Sequence, residues 1–254
     1  MTRILQPRLY LVVLAGGQST RARGSDSSAP KQFREVGGEM LFVHGLRELT
    51  AAPGVVRAVA VVPEAWRPTA RSALDAAALP VPCDLATAGR HRTASTWHGL
   101  EALAALPEHT CPEAADLVAV HDAARPFASR HLLNRLARAA ARHGAAVPGV
   151  PVPDTIIQLA GDPEAIEEGE SPVATYLERG LLAALQTPQV FRWQELVAAH
   201  AWAAEHQRSF TDDGGLLAER GLRPVVVMGE QRNWKITSEE DWKRAAALLH
   251  RALV

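Results

Sequence analysis

LYLVVLAGGQSTR, from Leu9 to Arg21, followed by Pro30-Lys31-Gln32, is the stretch whose reading decides the fold. Its apolar run, residues 9–15, reads as a strand, and the strand breaks into Gly16-Gly17. Without Cβ atoms, the two glycines let backbone N–H groups close on a polyanion. The Arg21 guanidinium and the Lys31 ammonium, a few residues on, can neutralise it. An ordinary strand-ending turn explains two adjacent glycines equally well, so the rest of the chain has to decide.

Lysine usage favours the first reading. Of 27 basic residues only Lys31, Lys235 and Lys243 are lysine, so arginine serves wherever a solvated positive charge suffices. A compact ammonium can approach one phosphate oxygen as a point charge, where a planar guanidinium needs a wider berth. Lys31 follows the glycine loop, and Lys235 lies in Asn233-Trp234-Lys235-Ile236-Thr237, just after a strand-like run at 224–228. Both are expected in loops, contributing charge rather than packing; Lys243 reads as a surface helix residue.

Working outward, strand-like runs at 55–62, 117–121, 145–152 and 224–228 alternate with helix-period segments at 40–49, 69–78, 94–106, 130–142, 192–205 and 239–253. The alternation predicts an α/β fold, a mostly parallel sheet flanked by helices on both faces. In the last helix Thr237 and Glu240 suggest a capping box, and Trp242, Ala245, Ala246, Leu249 and Leu253 share one face. Residues 152–186 break the rhythm, because Gly161-Asp162-Pro163 and the acidic run 164–170 interrupt two short extended stretches. That segment reads as a protruding β-arm with too little core of its own, so it should pack on a partner, most simply a second copy of the chain. A disordered acidic loop is the competing reading.

The 254 residues, 47% apolar, fit one domain over 1–254 that includes the arm at about 152–186. A net charge of −1 with scattered arginines gives no basic stripe, which argues against a nucleic-acid partner. Cys83 and Cys111 lack a Cys-x-x-Cys spacing, so neither a disulfide framework nor a structural zinc is expected. The ten histidines include no His-Glu-x-x-His arrangement. No run is long enough to span a bilayer, and the early apolar run is not a signal peptide; the expectation is a cytoplasmic protein without a membrane partner.

Further stretches carry chemistry. His121-Asp122-Ala123-Ala124-Arg125-Pro126 follows a strand, and ligands bind at the carboxyl ends of strands in open α/β sheets. Asp122 could offer a hard oxygen to the magnesium ion of a bound nucleotide, or could cap a turn. Gly89, Arg92 and Ser95 precede an apolar helix and could present donors to a ligand, although an N-cap at Thr93 or Ser95 accounts for most of that pattern. Arg179, Gln186-Thr187-Pro188-Gln189 and Thr211-Asp212-Asp213 follow, the last opening a helix that continues through Leu216 and Leu217.

Taken in order, LAGGQSTR with PKQF, AGRHRTAS, HDAARPF, PVPDT, ERGLLAALQTPQVF, FTDD and NWKIT resemble the 2-C-methyl-D-erythritol 4-phosphate cytidylyltransferase family from the first strand to the final helix. The resemblance implies a Rossmann-like nucleotidyltransferase fold, an exchanged β-arm and a magnesium-dependent homodimer. The implied reaction joins CTP to an alditol phosphate and releases pyrophosphate, in isoprenoid precursor biosynthesis. By matching position, Arg21 and Lys31 would bind the triphosphate and act in catalysis with Lys235. Ala15, Gly16, Gly17, Gly89, Arg92 and Ser95 would complete the CTP site. Arg125, Thr155, Arg179, Thr187 and Lys235 would surround the acceptor phosphate or the reacting α-phosphate, and Asp122 would hold Mg2+. Ser19, Arg90, His91 and Gly214-Gly215 depart from the family pattern, and Gly16-Gly17 with residues 63–66 also resemble the sister enzymes that use ribitol 5-phosphate. Three readings therefore stand: methylerythritol phosphate as acceptor, ribitol or another alditol phosphate, and a noncatalytic nucleotide-binding protein of the same fold.

Overall fold

The computed structural model describes residues 7–17, 29–161 and 170–252; Ser19, Arg21, residues 162–169, which hold most of the acidic run, and Leu253 lie outside the described residues. In chain order the strands are β1 (Leu9–Leu14), the small hairpin β2 (Glu35–Val36) and β3 (Glu39–Met40), β4 (Val55–Val62), β5 (Cys83–Thr87) and β6 (Leu117–Asp122). They continue as β7 (Ala145–Pro151), β8 (Ile157–Leu159), β9 (Val173–Tyr176), β10 (Ala183–Leu185), β11 (Gln189–Arg192) and β12 (Val225–Met228). The helices are α1 (Leu41–Thr50), α2 (Arg67–Ala77), α3 (Arg92–Ala104), α4 (Arg130–His143), α5 (Trp193–Glu205), α6 (Asp213–Glu219) and α7 (Glu239–Ala252).

β1 lies inside the sheet, parallel to β4 on one side and to β6 on the other. Its side chains alternate between two cores, as strand geometry requires. Leu9, Leu11 and Val13 join Leu46 and Leu49 of α1, Leu74 of α2 and Leu133 and Leu136 of α4. Tyr10 and Val12 join Leu100 and Leu103 of α3, Leu196 of α5 and Leu216 of α6. Each fully buried aliphatic side chain contributes roughly 1.5–3 kcal/mol, so an uninterrupted apolar strand is stable only where helices cover both faces. This is the helix-flanked α/β sheet that the alternation predicts.

The sheet also holds what the sequence pattern does not show. β11 runs antiparallel between β6 and β7, and β10 continues antiparallel along β7. β12 flanks β7 in parallel, and β5 closes the far edge beside β4. None of β5, β10 and β11 is a long apolar run. β5 begins Cys83-Asp84 and is half-buried, while β11 has only Val190 and Phe191 between polar ends. Phe191 is nevertheless fully buried, in the cluster that holds Leu196 and Ala199 of α5 and Leu216 of α6.

Among the described residues β8 and β9 pair only with each other, antiparallel, as a hairpin outside the main sheet. Ile157, Val173 and Tyr176 on it are exposed. No helix among the described residues is long and apolar enough to cross a membrane.

The cap of α7 differs from expectation by one residue. Ser238 Oγ accepts from the Asp241 N–H at 3.1 Å, and Asp241 Oδ2 accepts from the N–H groups of Ser238 and Thr237 at 2.9 and 2.8 Å. The reciprocal pair is thus Ser238/Asp241 rather than Thr237/Glu240, with aspartate doing what glutamate usually does. Burial would raise the Asp241 carboxyl, but these donors outweigh it and hold it at about 2, below the ordinary 3.8. Asp241→Ala is expected to lower stability by about 1 kcal/mol near neutral pH. With the folded pKa depressed, that contribution is complete above the unfolded value and is lost as pH falls through the folded one. The gap between wild-type and variant urea midpoints at pH 7 should therefore narrow near pH 2. A pH-independent gap would assign the effect to helix propensity instead.

Candidate active site

The carboxyl ends of β1 and β6 lie side by side, with Leu14 opposite Asp122, so the Gly16-Gly17 loop and the His121–Arg125 turn open on one edge of the sheet. Asp122 is the hub. Its Oδ1 accepts from Arg92 Nε at 3.3 Å, and its Oδ2 from Lys235 Nζ at 2.8 Å. Burial would raise the Asp122 carboxyl, but the guanidinium and the ammonium prevail and hold it at about 2, so it is ionised.

Thr187 Oγ1 accepts from the Asp122 N–H at 3.0 Å and pairs with His121 Nδ1 at 3.0 Å, while His121 Nε2 lies 3.1 Å from the Arg125 carbonyl. A carbonyl only accepts, so Nε2 carries the ring proton and Nδ1 accepts the Thr187 hydroxyl proton. Burial pushes His121 down to about 4, which keeps the ring neutral. The turn carrying Asp122 is thereby tied to the segment between β10 and β11. Asn233 ties the Lys235 loop to the same segment, its Nδ2 donating to the Thr187 carbonyl at 2.8 Å. Arg125 reaches across as well, donating to the Asn233 carbonyl at 2.8 Å.

Together Arg92, Asp122, Arg125, Thr187, Asp212 and Lys235 line a cleft of about 180 Å³. A larger groove of about 400 Å³ lies over β7, β10 and β12, between Gly149, Val226, Met228 and Arg179. Among the described residues lining it only Arg179 is charged, whereas Arg92, Arg125 and Lys235 line the smaller cleft.

Several of the expected residues take other places. Lys31 is not a solvated loop residue: it is 6% exposed, opens a single helical turn, and donates to the Ile236 carbonyl at 3.4 Å. Burial lowers its pKa, with Asp241 and Glu239 opposing. Ala15 is buried, and Gln32 Nε2 clasps the carbonyls of Ala15 and Gly17 at 2.8 and 2.9 Å. A Cβ on Gly16 would stand 2.6 Å from Ala88 Cβ, whereas one on Gly17 would meet nothing within 4 Å among the described residues. Gly16 therefore permits close packing. A Cβ on Gly89 would stand 2.5 Å from Ala94 Cβ, so that glycine is required by the start of α3. The N-cap of α3 is neither Thr93 nor Ser95 but His91, whose Nδ1 accepts from the Ala94 N–H. Ser95 Oγ instead accepts from the Gly89 N–H at 3.0 Å, pinning the loop.

Arg92 is held by two carboxylates, the second being Asp213 at 2.7 Å. Asp212 caps α6 through the Gly215 N–H, as its position suggests. Thr155 and Arg179 lie exposed near the arm, where Arg179 donates to the Pro153 carbonyl, and neither lines the Asp122 cleft of its own chain. Sequence reasoning gave no role to Asp213, His200, Gln32 or Asn233. PKQF, FTDD and NWKIT contain three of them, Gln32, Asp213 and Asn233, but nothing local marks Asp213 as buried.

For a magnesium ion the residues fit. Asp122 offers an ionised hard oxygen with Asp212 beside the same cleft, and Mg2+ commonly takes one or two carboxylates with phosphates and water supplying the rest. Among the described residues no three His, Cys, Asp or Glu gather into a complete protein cage, so the phosphates of a ligand would have to complete the shell.

Residues 9–251 match the family model "IspD: 2-C-methyl-D-erythritol 4-phosphate cytidylyltransferase". The chain is 36% identical over 244 residues to the bifunctional enzyme IspD/IspF of Bradyrhizobium diazoefficiens, covering 95% of this chain but only 56% of that relative. It is 34% identical over 248 residues to the 2-C-methyl-D-erythritol 4-phosphate cytidylyltransferase of Streptomyces avermitilis, covering 96% and 92% of the two chains. Among solved structures, the 2-C-methyl-D-erythritol 4-phosphate cytidylyltransferase of Thermus thermophilus superposes with a TM-score of 0.71 at 32% identity, over 95% of this chain and 98% of that one.

Proposed function

The chain belongs to the 2-C-methyl-D-erythritol 4-phosphate cytidylyltransferase family, and we propose that it transfers the cytidylyl group of CTP to 2-C-methyl-D-erythritol 4-phosphate. The products are 4-diphosphocytidyl-2-C-methyl-D-erythritol and pyrophosphate. The observation that carries the reading is the ionised Asp122 held between Arg92 and Lys235 at the carboxyl edge of the sheet, beside the glycine loop.

An oxygen of the acceptor phosphate attacks the α-phosphorus of CTP, and the bond to the bridging oxygen of the β-phosphate breaks. Both reactants are anions, so repulsion is the main obstacle, and cations with positioning matter more than a general base. Lys235 can turn from Asp122 to the reacting phosphates, since it is half-exposed and holds the carboxylate by one contact. Arg125 lies across the same cleft, its guanidinium fixed by the Asn233 and Leu185 carbonyls. Asp122 would hold magnesium, which neutralises triphosphate charge when bound. The site is proposed to work in the cytoplasm.

Pyrophosphate release from CTP, measured with methylerythritol phosphate and with ribitol 5-phosphate, tests the reading. Turnover with ribitol 5-phosphate alone overturns the acceptor. CTP binding without pyrophosphate release from any alditol phosphate overturns the enzyme.

The arm is proposed to cross to a second subunit, supported by its exposed apolar residues and by the fact that Thr155 and Arg179 are not among the described residues lining the cleft. Lys235→Ala and Arg179→Ala would then damage different halves of a shared site. In a mixed dimer one site carries both lesions and the other is whole, so subunit exchange should restore up to about half of native activity. No recovery in verified mixed dimers would show that each arm serves its own chain.

A further inference from the structure

The cleft is braced from behind by a chain of contacts that ends in the protein interior. Lys235, 45% exposed, holds Asp122; Asp122 meets Arg92; Arg92 Nη1 meets Asp213 Oδ2 at 2.7 Å; and Asp213 Oδ1 meets His200 Nε2 at 2.9 Å. The His200 side chain is completely buried in α5, and Asp213, on the first turn of α6, is 2% exposed. Arg92 burial opposes its charge, but Asp213 and Asp122 outweigh it and raise its pKa; the same guanidinium, with His200, depresses Asp213. An ionised carboxylate has no proton to give, so His200 Nε2 is the donor.

We propose that His200 is a positioning residue for the nucleotide site: by occupying Asp213 Oδ1 it fixes how Arg92 sits and therefore how Arg92 meets Asp122. This rests on the proposed cytidylyl-transfer reading. Carboxylate and guanidinium prefer two parallel N–H···O bonds. Arg92 makes only one to Asp213, and its Nη2 is buried without a hydrogen-bond partner. The competing arrangement is a two-bond pair through Nη1 and Nη2, which would turn Nε away from Asp122. His200 disfavours that alternative by holding one of the two acceptor positions of Oδ1 and with it the orientation of the carboxylate. The unequal lengths fit this assignment: Arg92 is anchored on Asp213 at 2.7 Å and meets Asp122 Oδ1 at 3.3 Å, while Lys235 holds Oδ2 at 2.8 Å.

The test compares His200→Phe, which keeps an aromatic ring but has no donor, with His200→Gln, whose amide N–H reaches the place of Nε2. His200→Phe should raise the KM for CTP, and the magnesium concentration giving half-maximal rate, by about 10-fold or more. The KM for the alditol phosphate should change less than about 3-fold, a smaller effect than any expected of a supporting residue that touches that substrate's subsite. CTP binding measured by calorimetry with magnesium and no acceptor should weaken by the same factor as the KM, and His200→Gln should recover most of each loss. If His200→Phe does not fold, His200→Asn replaces it, since its shorter amide falls short of Asp213. Equal impairment by Gln and by the donor-free variant, a common rise in both KM values, or unchanged CTP affinity overturns the proposal. A wild-type protein that neither binds nor turns over CTP overturns the underlying reading instead.

Discussion

Asp122→Asn is expected to reduce turnover on the order of 100-fold or more and to flatten the response to magnesium. The amide keeps the shape of the carboxylate and removes the negative charge that faces a cation. It also puts a donor where Arg92 and Lys235 now find an acceptor. The fold should tolerate the change, because Arg92 keeps its shorter bond to Asp213 and Lys235 can turn to solvent. Rates measured against magnesium concentration, beside a melting curve, separate the two effects. An unchanged magnesium titration would remove Asp122 from the metal site.

Lys235→Ala is expected to lower turnover by a similar factor while the melting temperature hardly moves. The ammonium is half-exposed and has one hydrogen-bonded partner, so its ground-state ion pair is worth at most about 1 kcal/mol. Its proposed value lies in the charge it would offer to the transition state at the cleft. Lys243→Ala, on the surface of α7, is the control and should be silent. Parallel loss of stability and activity in Lys235→Ala would assign the residue a structural role. Lys31 does not belong in this comparison, because it is buried against Ile236 and its removal disturbs packing together with charge.

Much of the fold was legible because burial leaves a periodic trace. β1, β4 and β6 are buried over most of their length and read as mostly apolar runs, and α1 and α2 each carry an apolar face. Strands whose burial comes from late neighbours leave no such trace. β11 holds two apolar residues, and only the closing of β6 and β7 on either side makes it interior. The capping box was displaced by one residue for a related reason: Thr237 and Ser238 are both plausible caps in sequence, and Asp241 decides between them by its geometry.

The candidate site divides in the same way. Sequence by itself determined the glycine loop, the rare lysines, Asp122 at a strand end and the family order of the motifs, because each depends on residue type at a local spacing. Tertiary structure decided which charges meet. Asp122 is joined to Lys235 across 113 positions, and Arg92 to Asp213 across 121. Pairing of that kind depends on where whole elements come to rest in the sheet. It also depends on the balance between burying a charge and satisfying it, which no window of sequence contains.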